Sequence, residues 1–482
     1  MHLPESVPAL DSLLNSLRNH KTELLHQLKQ IDSDIAVAER KRAKLCNDAT
    51  FISQLPPELL SHIFLLCQKD RSDFPVIAAR VCTRWREMAF STRLLWTDIR
   101  ISLSDDSDIQ PALNKMETYI NCSGPSALFA FRLRIQDELD FTPILKVIAG
   151  HILRCAYLSI YVQADTEFSL LFREHLGSLW APHLGYLALR ADFPDSVDLN
   201  DTMCGPPLIF KAGTPSLKYL QLTSFASGFR PPISGSITTL HLDGVFMQSL
   251  TVLEYRGILA ANYCLVNLSL RGLTINSLSD TNPGALELPM LRSLRLRPKR
   301  DEPVLNKALL NALPLFCLES LILYGIDMGD LRSFEFPNVK DLSLNWCKFP
   351  VKGHWEHLIL AFPSVVHLTL GHGYVHLYTE LSIRSERIMW PKLRTLCLQR
   401  ILDSNDGPAV LRLVQDRSNM NCPLEILYLP NSSRHHLAAS LLPLEALTNI
   451  VPISYHLKEP WPPGADMDSV AHDNFWDVMF DD

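Results

Sequence analysis

The chain has 482 residues, of which 47% are apolar and 20% charged, a composition typical of a globular protein rather than a disordered one. At this length the chain can bury a large core or form several domains. The formal net charge of −7 does not predict wholesale nucleic-acid binding, because six aspartates between residues 466 and 482 supply most of it.

Cysteine usage and the lack of targeting segments bear on localisation. The 11 cysteines are scattered singly without a C-x-x-C pair, which favours reduced thiols over a disulfide framework or a zinc site. The start lacks a basic region followed by an apolar core, and no segment has 18 continuous apolar residues. We therefore expect a cytoplasmic protein, a nuclear protein or one found in both places, without a membrane span.

Residues 1–48 predict one long helix with a heptad seam. Ten of the twelve seam positions are apolar, and Lys21 and Arg42 are the exceptions. The seam comprises Val7, Leu10, Leu14, Leu17, Lys21, Leu24, Leu28, Ile31, Ile35, Ala38, Arg42 and Leu45. We interpret this helix as a coiled coil that pairs two copies of the chain in a homodimer. The alternative is one amphipathic helix that folds back onto its own chain.

Residues 49–97 predict two or three short helices. Pro56 and Pro57 stand where a helix begins, and Pro57 lacks an N–H donor at a position that needs none. Two apolar runs at helical spacing follow, separated by a break at Asp73 and Pro75. Some 45 residues cannot bury much core alone, so these helices pack on the next domain or dock on a partner.

The stretch "LPPELLSHIFLLC…VCTRWREMAFSTRLLW" resembles an F-box. The matching positions are Leu55, Pro56, Glu58, Leu59, Leu60, Ile63, Phe64, Val81, Cys82, Trp85, Leu95 and Trp96. One departure is "QKDRSDFPVIAA", which is more polar and slightly longer than the family pattern. The resemblance implies docking on the adaptor subunit of a cullin-RING ubiquitin ligase. The implied adaptor-binding residues are Leu55, Pro56, Pro57, Leu59, Leu60, Ile63, Phe64, Val81, Cys82 and Trp85. An unrelated small helical bundle is the alternative.

Residues 98–455 repeat one motif, L-x-x-L-x-L. Copies start at residues 184, 217, 237, 265, 291, 318, 339, 365, 393 and 424, and three degenerate copies precede them, beginning at Trp96, Leu128 and Cys155. A motif of this kind at such spacing predicts a leucine-rich-repeat solenoid of thirteen units, with parallel strands on its concave face. A β-sandwich is the alternative, although thirteen one-sided repeats do not suit paired sheets. The chain thus resembles F-box proteins with leucine-rich repeats, and the heptad helix resembles large fungal families of this kind.

Residues between the leucines are expected to project from the concave face and to bind a target. The candidate target-binding residues are Tyr219, His241, Arg271, Arg295, Arg297 and Tyr324. The three arginines predict a basic patch on neighbouring strands for an acidic or phosphorylated target. Ordinary solvated charges, some of them paired with Asp301 and Glu302, are the alternative.

Residues 456–482 begin with prolines and become acidic, with interspersed aromatic residues. This composition predicts a disordered or weakly docked tail. Two interpretations are open, a frayed terminus and a short acidic-aromatic binding motif.

The sequence contains none of the nucleotide-binding, hydrolase or metalloprotease motifs that we sought. The nearest approaches to metal ligands are two histidine groups, and each lacks a third and fourth ligand nearby. These groups are His354, Glu356 and His357, and the pair His435 and His436. We therefore expect no metal, no cofactor and no catalytic activity.

The fold class expected is α/β: a long N-terminal helix, a small all-α F-box and a parallel-stranded solenoid. The function expected is that of the substrate receptor of an SCF-type cullin-RING ubiquitin ligase. A non-catalytic coiled-coil and repeat scaffold that does not engage a ligase is the alternative function. Co-purification with the adaptor distinguishes the two.

Overall fold

The computed structural model describes residues 7–104, 108–136, 140–163, 168–192, 209–222, 235–243, 250–272, 275–276, 286–298, 307–348, 355–371, 390–399, 406–430, 440–453 and 461. The chain divides into two compact units. The first comprises Met1–Ile99 and Glu117–Ala127, and the second comprises Arg100–Met116 and Leu128–Asp482.

The first unit begins with a helix of 42 residues, α1 (Val7–Asp48), in which no residue is buried. The predicted seam follows this helix along its length, and its members Leu14, Leu28 and Ile31 are 48%, 57% and 57% exposed. This exposure does not match the alternative in which the seam folds back onto its own chain. The homodimer itself stays a prediction.

Short helices follow in the order that the proline and apolar patterns predict. They are a 3-10 turn (Phe51–Gln54), α2 (Pro57–Asp70), α3 (Phe74–Val81), α4 (Thr83–Ser91) and a second 3-10 turn (Arg93–Trp96). Pro57 occupies the first turn of α2 and Pro75 that of α3, positions where the missing N–H has no intrahelical partner to lose.

In its described residues, the second unit is built on a parallel sheet of 14 strands. The strands of this sheet are β1 (Asp98–Leu103), β2 (Phe129–Gln136), β3 (Cys155–Gln163), β4 (Tyr186–Asp192), β5 (Tyr219–Leu222), β6 (Thr239–Asp243), β8 (Asn267–Arg271), β10 (Ser293–Arg297), β11 (Ser320–Tyr324), β12 (Asp341–Asn345), β13 (His367–Leu370), β14 (Thr395–Leu398), β15 (Ile426–Pro430) and β16 (Asn449–Ile453). They lie side by side in chain order, and a separate pair, β7 (Leu250–Thr251) and β9 (Ile275–Asn276), forms a two-stranded sheet.

Helices connect many of these strands. They are α5 (Ile109–Ser123), α6 (Thr142–Gly150), α7 (Phe168–His175), α8 (Val252–Ala260), α9 (Lys307–Asn311), α10 (Trp355–Ala361), α11 (Asp406–Asn419) and α12 (Leu441–Glu445). Further 3-10 turns span Ile152–Arg154, Leu315–Cys317 and Met328–Leu331. None of the helices in the described part of the chain has the length and apolar character that crossing a membrane requires.

The motif leucines pair with one another from strand to strand. On β8 and β10, for example, Leu268 lies opposite Leu294, and Leu270 lies opposite Leu296. All four side chains are at most 2% exposed, and the equivalent leucines of the other motifs are also buried. Burying one such side chain contributes about 1.5–3 kcal/mol, so the ladder of leucines forms the core of this unit. The predicted α/β fold class is confirmed.

All thirteen predicted motifs coincide with strands of the large sheet, and β16 is the strand that the motif missed. In β16 the last leucine position is taken by Pro452, which lies opposite Leu429 of β15. Proline has no N–H group to donate a hydrogen bond to a neighbouring strand, so it is tolerated mainly on edge strands. β16 is the last strand of the sheet and therefore an edge strand. That the repeats are of the leucine-rich type stays a prediction.

We call the sheet face that carries the residues between the motif leucines the polar face. Contrary to the expectation of a solvated face, its central part is buried. All five residues of β6 are buried, and so are four of the five in β8 and in β10. Because both faces are buried, a polar side chain on the polar face that finds no partner is costly.

The exposed seam of α1 generates a test of self-association. We expect the full-length chain to form a dimer at micromolar concentration, because pairing two such helices buries the seam of each. A chain without residues 1–48 should be monomeric in light scattering. A third chain, in which Leu14, Leu28 and Ile31 are replaced by lysine, should also be monomeric and should retain the melting temperature of the remaining domains. A monomeric full-length chain would contradict the prediction.

Candidate functional site

The side chains at the centre of the α2–α4 bundle hold the helices together. Phe64 is fully buried, and its ring centroid lies 5.4 Å from that of Phe74 on α3 and 4.9 Å from that of Trp85 on α4. Leu60, one turn before Phe64, and Ala78 of α3 are also fully buried. One aromatic side chain of α2 thus contacts both neighbouring helices.

Hydrogen bonds to backbone carbonyls close the ends of the bundle. Gln68 Nε2 donates to the carbonyl of Leu95 at 2.7 Å, and Trp96 Nε1 donates to the carbonyl of Ala89 at 2.8 Å. Arg84 donates to the carbonyl of Leu55, the residue before the two prolines. The segment that leads into α2 is therefore tied to α4.

Trp96 is enclosed by aromatic side chains. It is 1% exposed, and its ring stacks on Phe90 at 5.3 Å and meets Tyr119 edge-on at 5.2 Å. Burial, with the nearby Asp73 and Asp98 carboxylates, raises the pKa of Tyr119 to about 12. Tyr119 is not among the residues predicted from the sequence, because it lies beyond the F-box pattern and is brought to Trp96 by the fold.

The ten predicted adaptor-binding residues fall into three groups by burial. Two are fully buried, Leu60 and Phe64. Three are half-buried, Leu55, Cys82 and Trp85. Five are exposed, Pro56, Pro57, Leu59, Ile63 and Val81. The prediction that Leu60 and Phe64 belong to the contact surface needs correction, since a fully buried side chain serves the bundle core and cannot reach a partner.

One face of α2 is apolar and exposed. Leu59, Ile63 and Leu66 follow at steps of four and three, and they are 54%, 37% and 48% exposed. We call these three residues the α2 stripe. Leu66 is not among the predicted adaptor-binding residues, although its spacing of three from Ile63 places it on the same helix face. Exposed apolar residues that form a row, rather than standing singly, mark an interaction surface.

A family model described as F-box-like matches residues 52–102. The chain carries an F-box-like domain. The predicted resemblance is confirmed for this segment, and the match supports a role as an adaptor-binding subunit of SCF-type ligases. No curated protein sequence matches the chain. The F-box-like domain contains the bundle, the α2 stripe and the first residues of β1.

The polar face of the sheet carries the six predicted target-binding residues. Tyr219 lies opposite Tyr186 of β4, His241 opposite Ser269, Arg271 opposite Arg297, and Arg295 opposite Ile322. Tyr324 is partly buried next to Ile322 in the same strand. The expected strand register is therefore present, and it brings four of the six residues onto the neighbouring strands β6, β8 and β10, with Tyr324 on β11.

The expected exposed basic patch is not what the structure contains. Arg295 is 0% exposed, and Arg271 is 8% exposed and forms an ion pair with Asp243 at 2.8 Å. The guanidinium carbon of Arg297 lies 4.2 Å from the ring centroid of Tyr324. The physical reason is that both faces of the central strands are buried, so Arg271 is ion-paired and Arg295 is hydrogen-bonded inside the sheet. The alternative partners Asp301 and Glu302 lie outside the described residues.

Arg295 is oriented by two residues of the sheet. Its Nε donates to Ser269 Oγ at 3.1 Å, and one terminal nitrogen lies 3.1 Å from His241 Nδ1. His241 and Ser269 are 0% exposed. A guanidinium held in this way has a fixed plane.

Tyrosines form a stack at the N-terminal part of the polar face. The rings of Tyr157, Tyr186 and Tyr219 follow one another at 4.0 and 4.2 Å, nearly parallel, and the guanidinium carbon of Arg132 lies 4.0 Å from the Tyr157 ring. Burial, with the neighbouring hydroxyls of Tyr219 and Tyr157, raises the pKa of Tyr186 well above its usual value. The three tyrosines are half-buried, and they present ring edges rather than charged groups on the polar face.

Among the described residues no group of three or more His, Cys, Asp and Glu side chains could hold a metal ion. His354, His435 and His436 lie outside the described residues, as does the side chain of Glu356, and His357 is exposed.

The Arg271–Asp243 pair generates a stability prediction. We expect Asp243→Ala to lower the free energy of unfolding by about 3–5 kcal/mol, because it leaves the buried Arg271 guanidinium without its carboxylate. The measurement is the urea midpoint. The double variant Asp243→Leu/Arg271→Met is the matched control and should lose much less, since no buried charge remains. Equal losses in the two variants would contradict this role of the pair.

Proposed function

We propose that this protein is the substrate-recognition subunit of an SCF-type cullin-RING ubiquitin ligase. The F-box-like domain docks the adaptor, and the sheet of the second unit holds a target protein. The observation that carries the proposal is the family match at residues 52–102. The exposed α2 stripe in that domain supports it.

The α2 stripe suits a docking surface on energetic grounds. Each of its side chains is about half exposed, so covering it would contribute on the order of 1 kcal/mol. The stripe is also rigid, because Leu60 and Phe64 on the opposite side of α2 are locked in the core. A rigid apolar row gives up little conformational entropy on binding.

In this proposal the protein has no chemistry of its own. It holds a target at high effective concentration and in a fixed orientation, so that a target lysine lies near a ubiquitin-charged enzyme. The target would bind on the polar face. Of the six candidates, Tyr219, Arg297 and Tyr324 are half-buried and accessible for contact, whereas His241, Arg271 and Arg295 are buried in this structure.

The buried arginines change how the target surface is tested. Replacing Arg271 and Arg295 by glutamate would place unpaired charge inside the sheet, so it would measure stability rather than recognition. Half-buried Tyr219 is a better position, because Tyr219→Ala removes one ring of the tyrosine stack at the edge of the buried region. Target capture by proximity labelling under proteasome block is the readout.

The adaptor prediction uses the α2 stripe. We expect the double variant Leu59→Asp/Ile63→Asp to reduce co-precipitation of the adaptor at least tenfold, because a contact surface with two carboxylates cannot be desolvated cheaply. The matched control is Leu253→Asp in α8, a leucine that is 81% exposed and outside the F-box-like domain. The control should bind the adaptor as the wild type does.

Stability measurements separate docking from folding. The stripe variant should keep the wild-type melting temperature, whereas Phe64→Ala should lower the free energy of unfolding by about 3–5 kcal/mol by emptying the bundle core. Undiminished adaptor recovery with the stripe variant would overturn the proposed contact surface. A wild-type chain that fails to bind any adaptor would favour the alternative function, a scaffold that does not engage a ligase.

A further inference from the structure

A side chain from the C-terminal segment lies on the polar face of the sheet. Trp461 belongs to the segment that the sequence predicts as a tail, and it is 2% exposed. It contacts residues of β10 and β11, and its Nε1 reaches the hydroxyl of Ser293, which is 168 residues earlier in the chain. The remainder of residues 456–482 lies outside the described residues.

The indole of Trp461 meets a different chemical group on each side. The guanidinium carbon of Arg295 lies 4.1 Å from the ring centroid, a cation–π distance. Nε1 donates to Ser293 Oγ at 3.3 Å, and the His241 ring stands edge-on with its centroid 6.3 Å away. The surrounding residues therefore contact both the face of the indole ring and its N–H group.

Apolar side chains complete the enclosure. Ile322 of β11 is 6% exposed and packs on Trp461, and Tyr324 packs against the same cluster. We call the five residues around Trp461 the indole pocket, and they are His241, Ser293, Arg295, Ile322 and Tyr324.

The indole pocket is built by the sheet and not by Trp461. Arg295 is held by Ser269 on the adjacent strand β8 and by His241 on β6, the strand beyond it. The guanidinium plane is therefore set before any aromatic ring stacks on it. A flat cation beside a hydroxyl acceptor favours tryptophan over phenylalanine, because phenylalanine has no N–H to donate.

The tether between the sheet and Trp461 is short. Seven residues lie between Ile453, the end of β16, and Trp461, and the eight steps from one to the other span at most about 29 Å. Five strand spacings separate β16 from β11, which is about 24 Å. The chain's own Trp461 therefore reaches the pocket with little slack, and tethering of this kind gives it a high effective concentration there.

The residues next to Trp461 lower the entropic cost of occupying the pocket. Pro460 precedes Trp461 and Pro462 follows it, and the ring of proline fixes φ. A chain with fewer conformations loses less entropy when its side chain is held.

We propose that the indole pocket is a binding site for a tryptophan-bearing peptide segment, that Trp461 occupies it in cis, and that a target displaces Trp461 with a tryptophan of its own. This rests on the proposed function, because it names the class of target segment that the polar face would hold. It also favours one of the two interpretations of the tail, the aromatic binding motif. The tail then sets a threshold, since a target segment must outcompete the tethered side chain.

The test measures binding of a fluorescein-labelled peptide with the sequence of residues 459–466 to the full-length chain. We expect Trp461→Ala to bind this peptide at least tenfold more tightly than the wild type, because the competitor in cis is gone. Fluorescence anisotropy gives the two dissociation constants. The variant Trp476→Ala, which removes another tryptophan of the same segment, should bind as the wild type does. A peptide with alanine in place of its tryptophan should not bind.

A second measurement on the wild-type chain covers the case in which Trp461→Ala does not fold. Saturation with an unlabelled peptide of residues 459–466, which contains no lysine or arginine, should accelerate trypsin cleavage after Lys458. The reason is that displacement of Trp461 releases the neighbouring chain to the protease. The alanine peptide should leave the cleavage rate unchanged.

Three results would overturn the inference. The first is a folded Trp461→Ala chain that does not bind the peptide, and the second is equal affinity of the wild type and this variant. The third, decisive if the variant does not fold, is an unchanged cleavage rate at saturating peptide. Adaptor co-precipitation is measured in parallel and depends on the F-box-like domain alone. Its loss in the wild type would overturn the proposed function and leave the peptide result intact, and a failed peptide titration would leave adaptor binding intact.

Discussion

The leucine ladder of the second unit is the constraint on which the rest of that unit depends. A single motif has three apolar side chains on a strand of about five residues and cannot bury them alone. Stacking in register solves this, because each leucine then packs against equivalent leucines before and after it, as Leu294 does opposite Leu268 and Leu321. The parallel direction, the strand order and the placement of every residue on the polar face follow from that one alignment.

Register fixes the polar face as firmly as it fixes the core. Because side chains alternate along a strand, alignment of the leucines also aligns the residues between them. In β6, β8 and β10 this brings His241, Ser269 and Arg295 into one row and sets Asp243 beside Arg271. These side chains are buried and pair with one another, Arg295 with Ser269 and His241, and Arg271 with Asp243. The row is therefore a rigid network and not a flexible charged surface, and a single aromatic ring can be recognised on it.

The F-box-like domain also has to bury apolar side chains that no single one of its helices could bury alone, and it has fewer residues with which to do so. Its helices are too short to be stable alone, so α2 commits one side to the core through Leu60 and Phe64 and leaves the other side to solvent. The prolines at the starts of α2 and α3 fix where each helix begins, and Arg84 ties the segment before α2 to α4. The apolar row that remains exposed is thus held in place by the side chains that are hidden.

Local patterns in the sequence were sufficient for the long helix, the proline-opened bundle and thirteen strands, because each depends on spacing within a few residues. They failed at β16, where Pro452 replaces a leucine of the motif. Local patterns could not predict burial. The residues next to Phe64 do not indicate that its ring packs on Trp85 rather than on a partner, and those next to Arg295 do not indicate that its side chain is buried. Those outcomes depend on residues far apart in the chain, such as Trp461 and Ser293, which only the tertiary structure brings together. The sequence by itself determined which residues share a strand face, and the fold decided which of those faces meet solvent.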